Sequence, residues 1–242
     1  VPRADGYSGN CDLKNKKNYR TRCSALIRFY DQNFLIDTSP DLRSQLLQNK
    51  IKTINKVFYT HPHADQTHGI NDLRPFFLIN KKQIPVYSNA ITKKYLLSTF
   101  GYCFKSIYPY PSTLCIKNLK KVHQFQNKNK KILIEAINVQ HGNMKSICYL
   151  VNKKLAYASD ISLLFKKDYK KLMNLKYLII DCLWYRDHPT HFNLNQVLNL
   201  VKILSPKKTI LTNMHSDLDY FQLKKKLPKN IIPGFDNMTV SL

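Results

Sequence analysis

The sequence predicts an α/β fold with a mixed sheet and helices on its outside, and three observations carry that expectation. Strand pairs joined by short turns fill the first part of the chain, strand–helix units alternate in its C-terminal third, and 43% of its 242 residues are hydrophobic, enough for a sizeable core. No repeat of solenoid period and no dividing linker is present, so residues 1–242 read as a single domain.

Residues 24–37 (SALIRFYDQNFLID) hold two β-rich runs split by a polar DQN turn, the pattern of a hairpin. Residues 40–48 (PDLRSQLLQ) follow a Ser39 N-cap and place Leu42, Leu46 and Leu47 on one helical face. KVFYT (56–60) is a short buried strand that runs into a histidine cluster. PVYS (85–88) then reads as strand, 90–99 as helix, KILIEAINV (131–139) as strand, and SICYLVN with KLAYAS as a second hairpin. The last third follows with a helix near 163–173, strand KYLIID, a helix over 193–204, strand KTILT and a helix over 217–227. The patch QNKNKK (126–131) is expected to be an exposed turn.

The formal net charge is +24, which excludes an acidic or mainly disordered chain and raises nucleic acid, nucleotides or an anionic surface as partners. The excess is mostly lysine, whereas phosphate recognition favours the planar arginine fork, so a drift toward AT-rich codons in a bacterial genome explains the composition about as well. The six cysteines form no C-x-x-C pair, which fits a reducing cytosol; Cys11 and Cys23 alone bracket a segment where a structural metal is conceivable. No apolar run approaches the ~20 residues of a membrane span, and VPRADGYSGN lacks a signal-peptide core, so a cytoplasmic location is expected.

The chemistry concentrates in Thr60-His61-Pro62-His63-Ala64-Asp65-Gln66-Thr67-His68-Gly69. Two histidines one residue apart on a loop past a strand can aim both imidazoles at one ion, with the aspartate two further on aimed beside it. Further ligands should sit at strand ends. His141 after EAINV, Asp160 after KLAYAS and His215 after KTILT are so placed.

The order H-x-H-x-D, then a lone His, a lone Asp and a late His resembles the metallo-β-lactamase superfamily over residues 35–215. The segments VPRADGY, RTRCS, LIDTSPDLR and THPHADQTHGINDLRP resemble its PhnP-type phosphodiesterase branch, related to RNase Z. The resemblance implies an αββα sandwich of two mixed sheets flanked by helices, with its first N-terminal strand missing here. It implies one or two divalent ions, zinc or manganese: His61, His63 and His141 for the first, Asp160 bridging, Asp65 and His215 for the second. It also implies phosphodiester hydrolysis by a metal-bound hydroxide and places His191 near the scissile phosphate as general acid, with His188 as competitor. A homodimer is plausible for this family.

One departure is plain: the motif usually continues H-x-H-x-D-H, and Gln66 stands where the last histidine belongs. A neutral amide oxygen binds zinc weakly, so the second ion is expected to be loose, oxygen-preferring or absent, unless His68 substitutes. Asp37 and Asp181, which end strands, are placed to accept the outer N–H of ligand imidazoles. Arg20, Arg22 and Arg74 stand out in a lysine-rich chain as candidate phosphate contacts.

The first functional expectation is a phosphodiesterase for a small nucleotide-like or cyclic phosphate ester. RNase Z-like processing of RNA is the alternative that the charge favours, although no long exosite insertion is visible. A non-catalytic nucleotide- or metal-binding protein is the alternative that Gln66 favours, and lactone or thioester hydrolysis is a minor one.

Overall fold

A computed structural model describes residues 2–242. They form two compact units: residues 22–120 with 126–130, and the residues up to Thr21 with 121–125 and 131–242. Their secondary structure is the expected class, two mixed β-sheets flanked by helices.

The first unit is built on a five-stranded sheet, β1 (Ala25–Phe29), β2 (Gln32–Ile36), β3 (Lys56–Phe58), β4 (Ile84–Ser88) and β5 (Leu114–Asn118), arranged in chain order. β1 and β2 form the expected antiparallel hairpin, turned at Tyr30 with φ of 56°, and β2 to β5 run parallel. Parallel strands need crossovers, which α1 (Leu42–Gln48), α2 (Ala64–Thr67), α3 (Arg74–Asn80), α4 (Ala90–Thr99) and α5 (Gly101–Phe104) provide. The core gathers Leu35, Val57, Tyr59, Val86 and Leu114 of the strand segments with Leu42, Leu73 and Leu96 of the helical ones.

The helix expected over 40–48 starts two residues later, because Ser39 Oγ accepts from the Asp41 backbone N–H and caps a turn rather than the helix. Leu42 and Leu46 are buried as expected, but Leu47 is 68% exposed. At 100° per residue the face beneath the helix is too narrow for all three.

The second unit carries a seven-stranded sheet: β6 (Val122–Asn127), β7 (Lys130–His141), β8 (Met144–Val151), β9 (Leu155–Ala158), β10 (Tyr177–Asp181), β11 (Lys208–Thr212) and β12 (Ile231–Pro233), in spatial order β12-β11-β10-β9-β8-β7-β6. β7, β8 and β9 are antiparallel neighbours, while β9, β10, β11 and β12 are parallel. This direction pattern makes β7, β9, β10 and β11 point the same way, so their C-terminal ends share one edge. The register fixes how closely: Ile180 faces Ala158 and Asp181 faces Thr212. QNKNKK is a β6–β7 hairpin tip, longer in strand than its composition indicated.

Helices α6 (Tyr169–Leu172), α7 (Leu194–Leu204) and α8 (Tyr220–Lys226) complete this unit. α7 starts with a capping box, the Asn193 side chain accepting from the Gln196 N–H and the Gln196 side chain from the Asn193 N–H. The helix expected over 163–173 shrinks to a 3₁₀ turn and α6, because Leu163 joins Gln140 in a β-bridge instead. The helix expected from 217 starts at Tyr220, capped by Asp219. All six cysteines are thiols, and burial pushes that of Cys148 up to about 12. Among the described residues no helix is long and apolar enough to cross a membrane.

Candidate functional site

In the first unit the H-x-H-x-D segment leaves the end of β3 and is clamped by the chain that leaves β2. Asp37 accepts from the Thr60 backbone N–H and from Thr60 Oγ1, each at 2.8 Å. The Thr38 N–H donates to Gln66 O and the Gly69 N–H to Thr38 O. The Thr38 hydroxyl lies 2.7 Å from the Tyr59 hydroxyl, whose proton burial holds far above the ordinary phenol range. Gly69 belongs to the clamp, since a Cβ there would overlap the Ser39 carbonyl oxygen.

The clamp sets the histidines. Thr60 Oγ1 gives its proton to Asp37 and lies 3.0 Å from His61 Nδ1, so His61 donates there and its Nε2 is left as a lone pair. Asp37 therefore orients His61 through Thr60 rather than by the direct contact expected. His61 Nε2 lies 3.1 Å from His63 Nδ1, near the ~3.3 Å edge that ~2.05 Å bonds span in a tetrahedral site. His61 is buried and His63 exposed.

Asp65 accepts from Gln66 Nε2 at 3.1 Å, and Gln66 itself is fully buried. The residue in the place of the usual histidine thus holds the neighbouring aspartate. His68 does not join this group: its Nε2 lies 3.0 Å from the Tyr95 hydroxyl, at the end of α2.

In the second unit the shared strand edge collects the remaining residues. His141 is the last residue of β7, Asp160 lies just past β9, and Asp181 ends β10. One donor atom each of His141, Asp160 and His191 lie within 4.8 Å of one another. His141 Nδ1 donates to the Thr190 carbonyl at 2.7 Å, which turns Nε2 outward as the donor atom. Gly142 lets this approach happen, because its φ is +57° and a Cβ would strike the Thr190 side chain. Asn213 Nδ2 donates to Asp160 Oδ1 at 3.0 Å from a left-handed conformation that asparagine tolerates.

Asp181 is fully buried and accepts from His191 Nδ1 at 2.6 Å, as well as from the Ile161 N–H. Its partner is therefore the imidazole expected near the phosphate, not that of an expected metal ligand. His188 turns away from this role, its Nδ1 accepting from the Thr190 N–H, and burial lowers its pKa. Among the described residues, His215 is not one of the three whose donor atoms come within 4.8 Å of one another. Its ring stacks on Trp184, its Nδ1 lies 3.3 Å from Asp217 Oδ2, and burial lowers its pKa, keeping the ring neutral as a metal ligand must be.

The arginines expected on phosphate are engaged otherwise. Arg20 is buried and its Nη2 donates to the carbonyls of Leu218 at 3.1 Å and His215 at 3.4 Å, so it braces the loop that carries His215. Arg22 pairs with Asp41, and Arg74 lies over the Tyr110 ring, both at the surface. Cys11 accepts from Arg20, and burial raises its pKa, which disfavours the thiolate that a structural metal would need. Thr60, Thr190, Asn213 and Asp217 were not singled out from the sequence. Their signal was present only as polar residues adjoining the candidate ligands.

Both donor sets fit a divalent cation by their chemistry: each offers an imidazole held by an outer hydrogen bond, at His61 and His141, and a carboxylate, half-buried at Asp65 and buried at Asp160. A beta-lactamase superfamily domain profile matches residues 32–214. The chain belongs to the metallo-β-lactamase superfamily. Solved structures similar to it include PhnP-family and tRNase Z members. The crystal structure of a new diphosphatase from the PhnP family is 27% identical, with a TM-score of 0.84 over 93% of this chain and 85% of that one. Human tRNase Z, short form, shares the fold at 17% identity and a TM-score of 0.66, over 91% of this chain and 92% of that one. An octanoyltransferase of Porphyromonas gingivalis is 26% identical over 98% of this chain. The chain spans about half the length of that relative, 48%. This superfamily member thus has the metallo-β-lactamase fold, with His and Asp groups suited to divalent metal.

Proposed function

We propose that the protein is a metal-dependent phosphodiesterase acting on a small nucleotide-like or cyclic phosphate ester. The observation that carries this reading is the 2.6 Å pair of His191 and fully buried Asp181 beside His141 and Asp160. A histidine so paired is built to hold and release a proton, which leaving-group protonation requires. The residues that would hold metal are His61, His63 and Asp65 in the first unit, with Gln66 steadying Asp65, and His141, Asp160 and His215 in the second. Divalent cations bound there would supply Lewis acidity toward phosphoryl oxygens and lower the pKa of a bound water.

The reaction joins a water oxygen to phosphorus and breaks one P–O ester bond. His191 Nδ1 stays on Asp181, its Nε2 gives a proton to the departing alkoxide, and the proton that the attacking water gives up restores the ring. Asp181 fixes the orientation of the ring and stabilises the imidazolium before transfer. Thr190 holds His141 and Thr60 holds His61, so that the donor nitrogens need no reorganisation.

Gln66 bears on whether the protein is catalytic at all. Its contact with Asp65 supports an adapted enzyme over an idle binding protein, because it keeps the carboxylate placed. The test is hydrolysis of bis-p-nitrophenyl phosphate and 2′,3′-cyclic nucleotides by protein reconstituted with zinc or manganese, beside a tRNA precursor. The reading expects turnover of a small diester. Turnover of the tRNA precursor alone supports RNA processing instead, and inactivity on all three overturns the reading.

A further inference from the structure

The seven-stranded unit has a cavity of about 430 Å³ whose wall His215 shares with residues that none of the chemistry above uses. Its wall includes Arg3, Tyr7, Trp184, Tyr185 and Arg186. Trp184 organises it. The indole stacks on His215 with centroids 4.3 Å apart and planes 24° from parallel, and its N–H donates to Asp217 Oδ2 at 2.7 Å. The guanidinium carbon of Arg186 lies 3.6 Å from the centre of the same indole.

A guanidinium at that distance from a ring is held by cation–π attraction and presents its N–H groups to whatever enters beside it. Arg3 is neutralised by Asp5 at 2.6 Å, whereas among the described residues no ion pair of Arg186 is found. Asp217 is the acid in the wall, and its Oδ2 already accepts from Trp184 and faces His215. The fork of Arg186 is therefore the group left to meet an anion, and phosphate is the anion whose oxygens it fits in pairs.

We propose that Arg186, held on Trp184, binds a second, non-reacting phosphate of the substrate, so that the protein prefers nucleoside-diphosphate-type esters to esters with one phosphate. This rests on the phosphate-ester reading of the same unit. Tyr7 and Tyr185 give the cavity the aromatic wall that a nucleobase or sugar packs against.

Trp184 is the only tryptophan in the chain, so its emission reports on this cavity alone. Adenosine diphosphate and adenosine are titrated into metal-stripped protein at physiological salt while tryptophan fluorescence is followed. The same titrations are run on Arg186→Gln and on Lys82→Gln, which removes an equal charge from an exposed lysine of the other unit. The expectation is saturable binding of the diphosphate at least ~10-fold tighter than of adenosine, a loss of ~10-fold or more in Arg186→Gln, and no loss in Lys82→Gln. Equal affinity for the two ligands, no saturable change with the diphosphate, or equal losses in the two variants would overturn it. The wild-type comparison decides even if Arg186→Gln does not fold. No turnover is involved, so failure of the diesterase reading would appear separately, as metal-loaded protein that binds the diphosphate and cleaves no diester.

Discussion

The two units supply candidate ligands in opposite ways. In the five-stranded unit they sit in one loop, His61 to Gln66, held by a clamp of backbone and threonine contacts from Asp37 and Thr38. In the seven-stranded unit they come from strand ends and loops scattered between His141 and His215, and only the sheet register brings them to one edge. A loop motif depends on its immediate neighbours, whereas a strand-edge site depends on the whole sheet. Substitutions should therefore separate the two by what they damage.

The largest effect is expected for Asp160→Ala and His141→Ala, which should lower kcat/KM on a small diester by ~10³-fold or more and reduce bound metal. His63→Ala in the loop should do the same if both units serve one chemistry. If it leaves activity within a few-fold of wild type, the comparison breaks, and the loop is only structural.

His191→Ala should cut kcat by ~10²- to 10⁴-fold while metal content stays at the wild-type level. That split, measured by kinetics and elemental analysis on the same preparations, separates proton transfer from metal binding. Loss of metal in parallel with activity would make His191 a ligand instead. Asp37→Asn, which disturbs the Thr60–His61 relay, is expected to weaken metal affinity by ~10- to 100-fold in a metal titration.

Gln66→His sharpens the contrast further. An enzyme in which Gln66 steadies Asp65 should change its activity by less than ~10-fold on gaining an imidazole, since the exchange also removes the Asp65 contact. A large gain of activity together with an additional bound ion would show the natural chain to be idle.

The smallest effect is expected away from both ligand sets. Asn193→Ala removes the capping box of α7 and should cost about 1 kcal/mol, a Tm shift of roughly 2–4 °C by thermal denaturation. Activity should hold if helix stability and site geometry are separate, though Asn193 also bonds Asp187.

Much of this contrast was legible in the sequence. H-x-H-x-D is contiguous, so its chemistry could be read from spacing, and β10, β11 and α7 carry apolar patterns that packing does not override. The strand-edge residues were legible only as single polar residues after strands, and their partners were not. That Asp181 serves His191, that Thr60 stands between Asp37 and His61, and that Arg20 braces a loop all depend on contacts between distant segments. The helix expected near 163–173 failed for the same reason, because a bridge to Gln140 outweighed local propensity. Leu47 failed for a simpler one, as helix geometry leaves room for two of three leucines on that face.

The central claim is that these histidines and aspartates hold divalent metal. Elemental analysis of protein purified without added metal, set beside His141→Ala prepared identically, tests it most directly. The account predicts at least one zinc or manganese per wild-type chain and a clear loss in the variant. A wild-type chain free of both, or a variant with an unchanged complement, would contradict it.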